Sequence, residues 1–204
     1  MIVAEFVMRY FHVLFGLVWI GMLYYFNFVQ TEYFKEAEAS AKADALKKLA
    51  PRALWWFRWG AMFTFITGLG LLHFVGAFKG ANPALWVGVV AGIFMFLNVW
   101  LVIWPNQKIV IGVKEGDTAA AAAKAGLASR TNTLFSGPML FGMLASKHLP
   151  LEASSTGMWA AIALIVALEA NGLFGKLGPL KSVVGVVHMA ILLAGAVWAL
   201  LVFL

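Results

Sequence analysis

The sequence has four histidines, His12, His73, His148 and His188, and no cysteine. Without thiols there can be no disulfides, thiolate ligands, iron–sulfur clusters or covalent CxxCH haem attachment. A metal or haem would have to be held by His, Met, Lys, Tyr or carboxylate. His12 and His73 lie in the first two apolar spans, so the pair predicts axial ligation of a haem b iron between neighbouring helices. Arg9 lies one turn before His12 and four residues after Glu5, which allows an i, i+4 ion pair. In the functional reading Arg9 holds a haem propionate or an anionic substrate; otherwise it snorkels to water. His148, in the motif SKHLP, adds a third imidazole near the same surface. A second polar group gathers toward the opposite face: His188, Glu169, Asn98 and Asn27. It is read either as a proton path, quinone pocket or second ligand site, or as a hydrogen-bonded network fixing helix register. Met139 and Met143 fall on one stripe with Asn132 and Ser136, where Met serves as an axial ligand or as packing filler.

Bare copper or zinc on two or three of these imidazoles is a further possibility. Haem is preferred because Phe15, Trp19, Met62, Phe65 and Phe74 can line a broad apolar pocket. Each histidine also has a plain reading, as a hydrogen-bonded residue of a helix core.

The elements that must carry these groups are membrane helices. The chain is 63% hydrophobic and 12% charged, with a mean hydropathy of +0.89, against roughly half and a quarter in soluble domains. This predicts an all-α, polytopic integral membrane bundle forming one transmembrane domain over 1–204. Six spans can be drawn, at about 4–30, 54–78, 84–104, 126–147, 155–173 and 182–204, each near the ~20 residues needed to cross. The fourth is the least hydrophobic and contains Pro138. The first apolar run lacks a preceding basic region and a small-residue cleavage site, so it is expected to stay as an anchor. The connection 31–53 is rich in Ala, Glu and Lys, and a short surface helix is expected there.

Basic residues fix the orientation. Lys35, Lys42, Lys47, Lys48 and Arg52 fall in the first connection. Lys108, Lys114 and Lys124 fall in the third with Arg130 just beyond, and Lys176 and Lys181 in the fifth. The alternate connections hold Lys79 and Lys147. The first, third and fifth connections are therefore expected to be cytoplasmic and both termini outside, in a bacterial inner membrane. The net charge of +6 then reflects topology and contact with anionic lipid, and no nucleic-acid partner is expected. His12 comes about 12 Å, and His73 roughly 7 Å, below the outer boundary, at 1.5 Å per residue. In the first span Glu5, Arg9, His12, Asn27 and Gln30 lie on one stripe about 60° wide, which must face protein, cofactor or water. Gly60, Thr64 and Gly68 give the second span a small-residue face. No P-loop, GxSxG, HExxH or GxGxxG pattern with its acidic partner supports soluble nucleotide or hydrolase chemistry.

Four stretches, FHVLFGLVWIGMLYYF at 11–26, LWWFRWGAMFTFITGLGLL at 54–72, IWPNQKIVIG at 103–112 and SRTNTLFSGPMLFGMLASKHLP at 129–150, carry a resemblance. They are similar to the membrane domain at the N-terminus of bacterial membrane-bound urate hydroxylases, the urate oxidase N-terminal type. More distantly the chain resembles copper-resistance membrane proteins and membrane protoporphyrinogen oxidases. The resemblance implies a haem-associated redox module that passes electrons onward and could oxidise a small anion such as urate. The urate enzyme has more membrane helices and carries its electron exit on a C-terminal cytochrome c domain. Here there is no CxxCH, so a separate acceptor is expected, a periplasmic cytochrome c or another respiratory subunit. The rival readings are a cofactor-free accessory subunit of a larger membrane complex and a copper-handling membrane protein.

Overall fold

A computed structural model describes residues 2–80, 82–149 and 152–204. Pro150, which ends the H-x-P motif, lies outside the described residues. The described residues form an all-α protein with six long helices: α1 (Ile2–Glu36), α2 (Ala39–Lys79), α3 (Pro83–Val110), α4 (Thr118–His148), α5 (Ser155–Phe174) and α6 (Val183–Phe203). All but α4 are long and apolar enough to cross a membrane.

Local chemistry explains the ends. Segment 31–53 is helical almost throughout: only Ala37 and Glu38, both extended, separate α1 from α2. The long α-helical part of α2 stops at Phe74, and Gly76 takes a left-handed φ of 64° where a side chain would be strained. Asn82 caps α3 by accepting from Ala84 N at 2.9 Å, with Pro83 in the first turn. Asp117 caps α4 by accepting from Ala119 N and Ala120 N. Ser154 and Ser182 cap α5 and α6 by accepting from Gly157 N and Gly185 N.

Two helices widen near their middle, over Tyr25–Gln30 in α1 and Asn98–Ile103 in α3, and α2 widens near its start over Ala45–Leu49. A wide turn, bonded i to i+5, leaves a carbonyl without its usual donor. In hydrocarbon that carbonyl has no water to turn to. Polar side chains donate to carbonyls around these turns: Asn27 to Leu23 O at 2.9 Å and Asn106 to Val102 O at 2.7 Å, while the Thr31 hydroxyl adds a second bond, at 2.6 Å, to a Phe26 O that already accepts Thr31 N–H. Asn132 reaches Met95 O, just before the α3 turn, at 2.9 Å.

The chain divides into two compact units. The first comprises residues up to 67 together with 96–129. In it α1 packs on α2 through Gly60, where an added Cβ would stand 3.0 Å from Trp19 N. Ring contacts Phe15–Phe63 and Phe26–Phe57 reinforce this seam, and Trp59–Trp100 joins α2 to α3. Phe65 and Phe96 stack nearly parallel at 4.0 Å. The second unit comprises 68–95 with 130–204. There α4 meets α3 at Gly142, α6 at Gly137 and α5 through Thr131 against Gly172, while α5 meets α6 at Gly157. Small residues let backbones touch where lipid gives no hydrophobic driving force.

In α4 every residue from Arg130 to Ser136 is buried. Over that stretch the helix has no face to offer lipid, so its low hydropathy there carries no penalty, while Leu140 and Leu144 nearer its end are exposed. This accounts for the weak fourth span.

Candidate functional site

His12 is the imidazole whose surroundings do most to define it. Its Nδ1 lies 2.9 Å from the carbonyl oxygen of Thr64 and 3.2 Å from Thr67 Oγ1. A carbonyl oxygen only accepts, so Nδ1 carries the proton. Thr67 sends its own hydroxyl proton to Phe63 O at 2.6 Å, so its oxygen is free to accept from His12 as well. In the neutral ring the lone pair is then left on Nε2. This is the arrangement found behind metal-bound histidines, where a backbone carbonyl fixes the tautomer and ring orientation.

One heptad on, and so on nearly the same face of α1, is Trp19. It is 3% exposed, and its indole Nε1–H has no acceptor among the described residues. A buried donor left this way suits an oxygen of a bound group. One turn before His12, Arg9 donates to Glu5 at 2.6 Å, so the i, i+4 pair expected from spacing forms. Both side chains are about two-fifths exposed, so solvent screens the pair.

The other three histidines differ. His73 is exposed near the end of α2, with Phe74 edge-on at 5.9 Å. His148 is exposed as the last residue of α4. His188 is exposed on α6, and its Nδ1 is spent on Val184 O one turn back at 2.7 Å. Among the described residues no three His, Asp or Glu side chains come together as a metal cluster.

The polar group expected near the opposite face divides by burial. Asn27 joins α1 to α4, donating to Ser129 Oγ at 2.8 Å, and is 3% exposed. Asn98 is buried at the α3 wide turn and Glu169 is buried on α5. His188, by contrast, is exposed. Met139 and Met143 face α3, where their backbones stand against Gly88, and the Met139 side chain lies within 4 Å of a Cβ built on Gly92. The Met139 side chain thus makes helix contact there.

Two features escape sequence reasoning. Position alone groups Arg130 with the basic residues bordering the third connection, but it is 5% exposed, inside a buried run with Thr131, Asn132, Thr133 and Ser136. Its signal is the run R-T-N-T in the least apolar span. Thr64 reads in sequence as part of a packing face and Thr67 carries no signal, yet both orient His12 from a helix 52 and 55 residues away.

Residues 74–175, half of the chain, match the family model for the urate oxidase N-terminal domain. No curated protein and no solved structure matches. The stretches at 103–112 and 129–150 fall inside the matched half, as do His148, the buried α4 run and Glu169. Arg9, His12 and His188 fall outside it, and His73 lies one residue before it. With half its length matched, the chain belongs to the urate oxidase N-terminal family.

Proposed function

We propose that the chain is a redox module of the bacterial inner membrane that binds haem b and passes electrons to a separate acceptor, a periplasmic cytochrome c or another respiratory subunit. One observation carries the reading: the Thr64 carbonyl holds the Nδ1 proton of His12 and leaves Nε2 as a fixed, neutral donor. The unsatisfied Trp19 N–H supports it as a buried donor on the same helix face. In this proposal His12 and His73 would hold the haem iron, on the grounds of the depths that their sequence positions imply. Arg9 pairs with a propionate or with a small anionic substrate such as urate. When bound, the haem supplies one-electron transfer, tuned by its axial ligands and burial. His12, its ring fixed by Thr64 O, would orient it. By the basic-loop rule both termini lie on the outer side.

The test is the visible spectrum of the purified protein with a metal assay. The expected result is a sharp reduced-minus-oxidised haem b band that is lost in His12→Ala and weakened or shifted in His73→Ala. A colourless protein containing stoichiometric copper would replace this reading with a copper-handling one. A second reading, a cofactor-free accessory subunit, is favoured by the exposure of three of the four histidines. Colourless, metal-free protein that co-purifies with other membrane subunits would establish it.

A further inference from the structure

The first unit has a groove between α1 and α2 that shares only Phe15 with the residues expected to line a haem pocket. Leu14, Phe15 and Val18 form one wall, Trp55, Trp59 and Phe63 the other, and Gly60 the floor. Its volume is about 240 Å³, below the roughly 300–1,000 Å³ of closed small-molecule sites. Every lining side chain is apolar or aromatic. Trp55 and Trp56 are 45% and 57% exposed, and they also border a second hollow lined by Pro51 and Arg52. The groove therefore opens at an arginine.

The length, the aromatic mouth and the charge of the groove name the occupant. From Arg52 to Phe63 is about 16 Å along the helix at 1.5 Å per residue, close to the ~15 Å hydrocarbon depth of one leaflet. Paired tryptophans favour the boundary between headgroups and chains, which sets Trp55 and Trp56 at that level and Arg52 among the headgroups. Lys47 and Lys48 lie just before it, and although Lys48 pairs with Asp44, that pair is largely exposed. The mouth is thus cationic, and the lining offers only the indole N–H groups of its tryptophans, with no acceptor and no charge to recognise a polar head.

We propose that this groove is a binding site for one anionic phospholipid, its phosphate on Arg52 and one acyl chain along Val18 and Trp59. The site selects by headgroup charge, because the apolar interior cannot tell one chain from another.

Full-length protein in mild detergent, given equal amounts of phosphatidylglycerol and phosphatidylcholine with matched chains, would be measured by native mass spectrometry. One phosphatidylglycerol should be retained at least tenfold more often than phosphatidylcholine. Arg52→Gln should bring that ratio close to one, and Leu14→Trp, which fills the groove, should remove retained lipid of both kinds. Should Leu14→Trp fail to fold, quenching of tryptophan fluorescence by brominated lipids in vesicles replaces it. Brominated phosphatidylglycerol should then quench the native chain more than brominated phosphatidylcholine, and equally in Arg52→Gln. Equal retention of the two lipids by the native chain, a preference that survives Arg52→Gln, or a co-purifying quinone displaced by Leu14→Trp would each overturn the assignment.

Discussion

Replacing Gly142 by alanine tests whether close backbone contact holds the second unit together. A Cβ at Gly142 would stand 2.5 Å from Ala84 O, 2.7 Å from Gly88 N and 2.8 Å from Gly88 Cα, where ordinary contact begins near 3.4 Å. The overlap is about 0.9 Å, and all three atoms are backbone, so no side chain can swing aside and α3 and α4 must part. Overpacking of this kind costs about 1–3 kcal/mol. With three backbone atoms in the way the cost falls at the upper end, ~2–3 kcal/mol; alanine returns ~1 kcal/mol through better helix propensity, leaving a net loss of ~1–2 kcal/mol. At roughly 2–4 °C per kcal/mol for a chain of this size, the melting temperature should fall by ~2–8 °C. Gly126 on the same helix is the control, since nothing lies within 4 Å of its built Cβ. Gly126→Ala should keep the propensity gain and melt up to ~4 °C higher. The assay is intrinsic tryptophan fluorescence during heating in detergent. A Gly142→Ala protein that melts at or above the native temperature would refute the reasoning.

Other substitutions probe the polar contacts. Thr67→Val removes the second acceptor behind His12 while leaving Thr64 O, so haem affinity should weaken by ~10-fold, the low end for loss of a supporting group. Haem titration of the apoprotein would measure this, and Thr67→Ser should restore binding. Asn132→Leu strands the Met95 carbonyl in a dry interior and should destabilise the chain by ~1–3 kcal/mol, read as a lower melting temperature. Glu5→Gln breaks a screened, part-exposed pair and should change stability by less than ~1 kcal/mol, whereas a larger loss would mean that Arg9 depends on Glu5 more than its exposure suggests.

The long apolar runs make the helices legible, because nothing but a membrane span needs twenty such residues. The wide turns are not legible. A wheel drawn at a uniform 100° per residue assigns Asn27 and Gln30 to the stripe of His12, but the extra residue in the Tyr25–Gln30 turn rotates the rest of the helix by roughly 100°. Asn27 instead serves its own helix and Ser129. Arg130 misleads for another reason: a positive charge near a span end usually lies in water, and only tertiary packing reveals that it is enclosed. The Arg9–Glu5 pair is readable because it is local. The support of His12 by Thr64 and Thr67 is not, since it joins residues more than fifty positions apart.

The two-residue joint between α1 and α2 has a mechanical consequence. A helix of 35 residues is about 52 Å long, while the hydrocarbon layer is ~30 Å thick. About 20 Å of rigid hairpin, studded with charges of both signs from Glu32 to Lys48, therefore stands clear of the bilayer like a mast. Any soluble protein approaching on that side would meet its tip before it met the lipid, so the hairpin sets the standoff at which such a visitor docks.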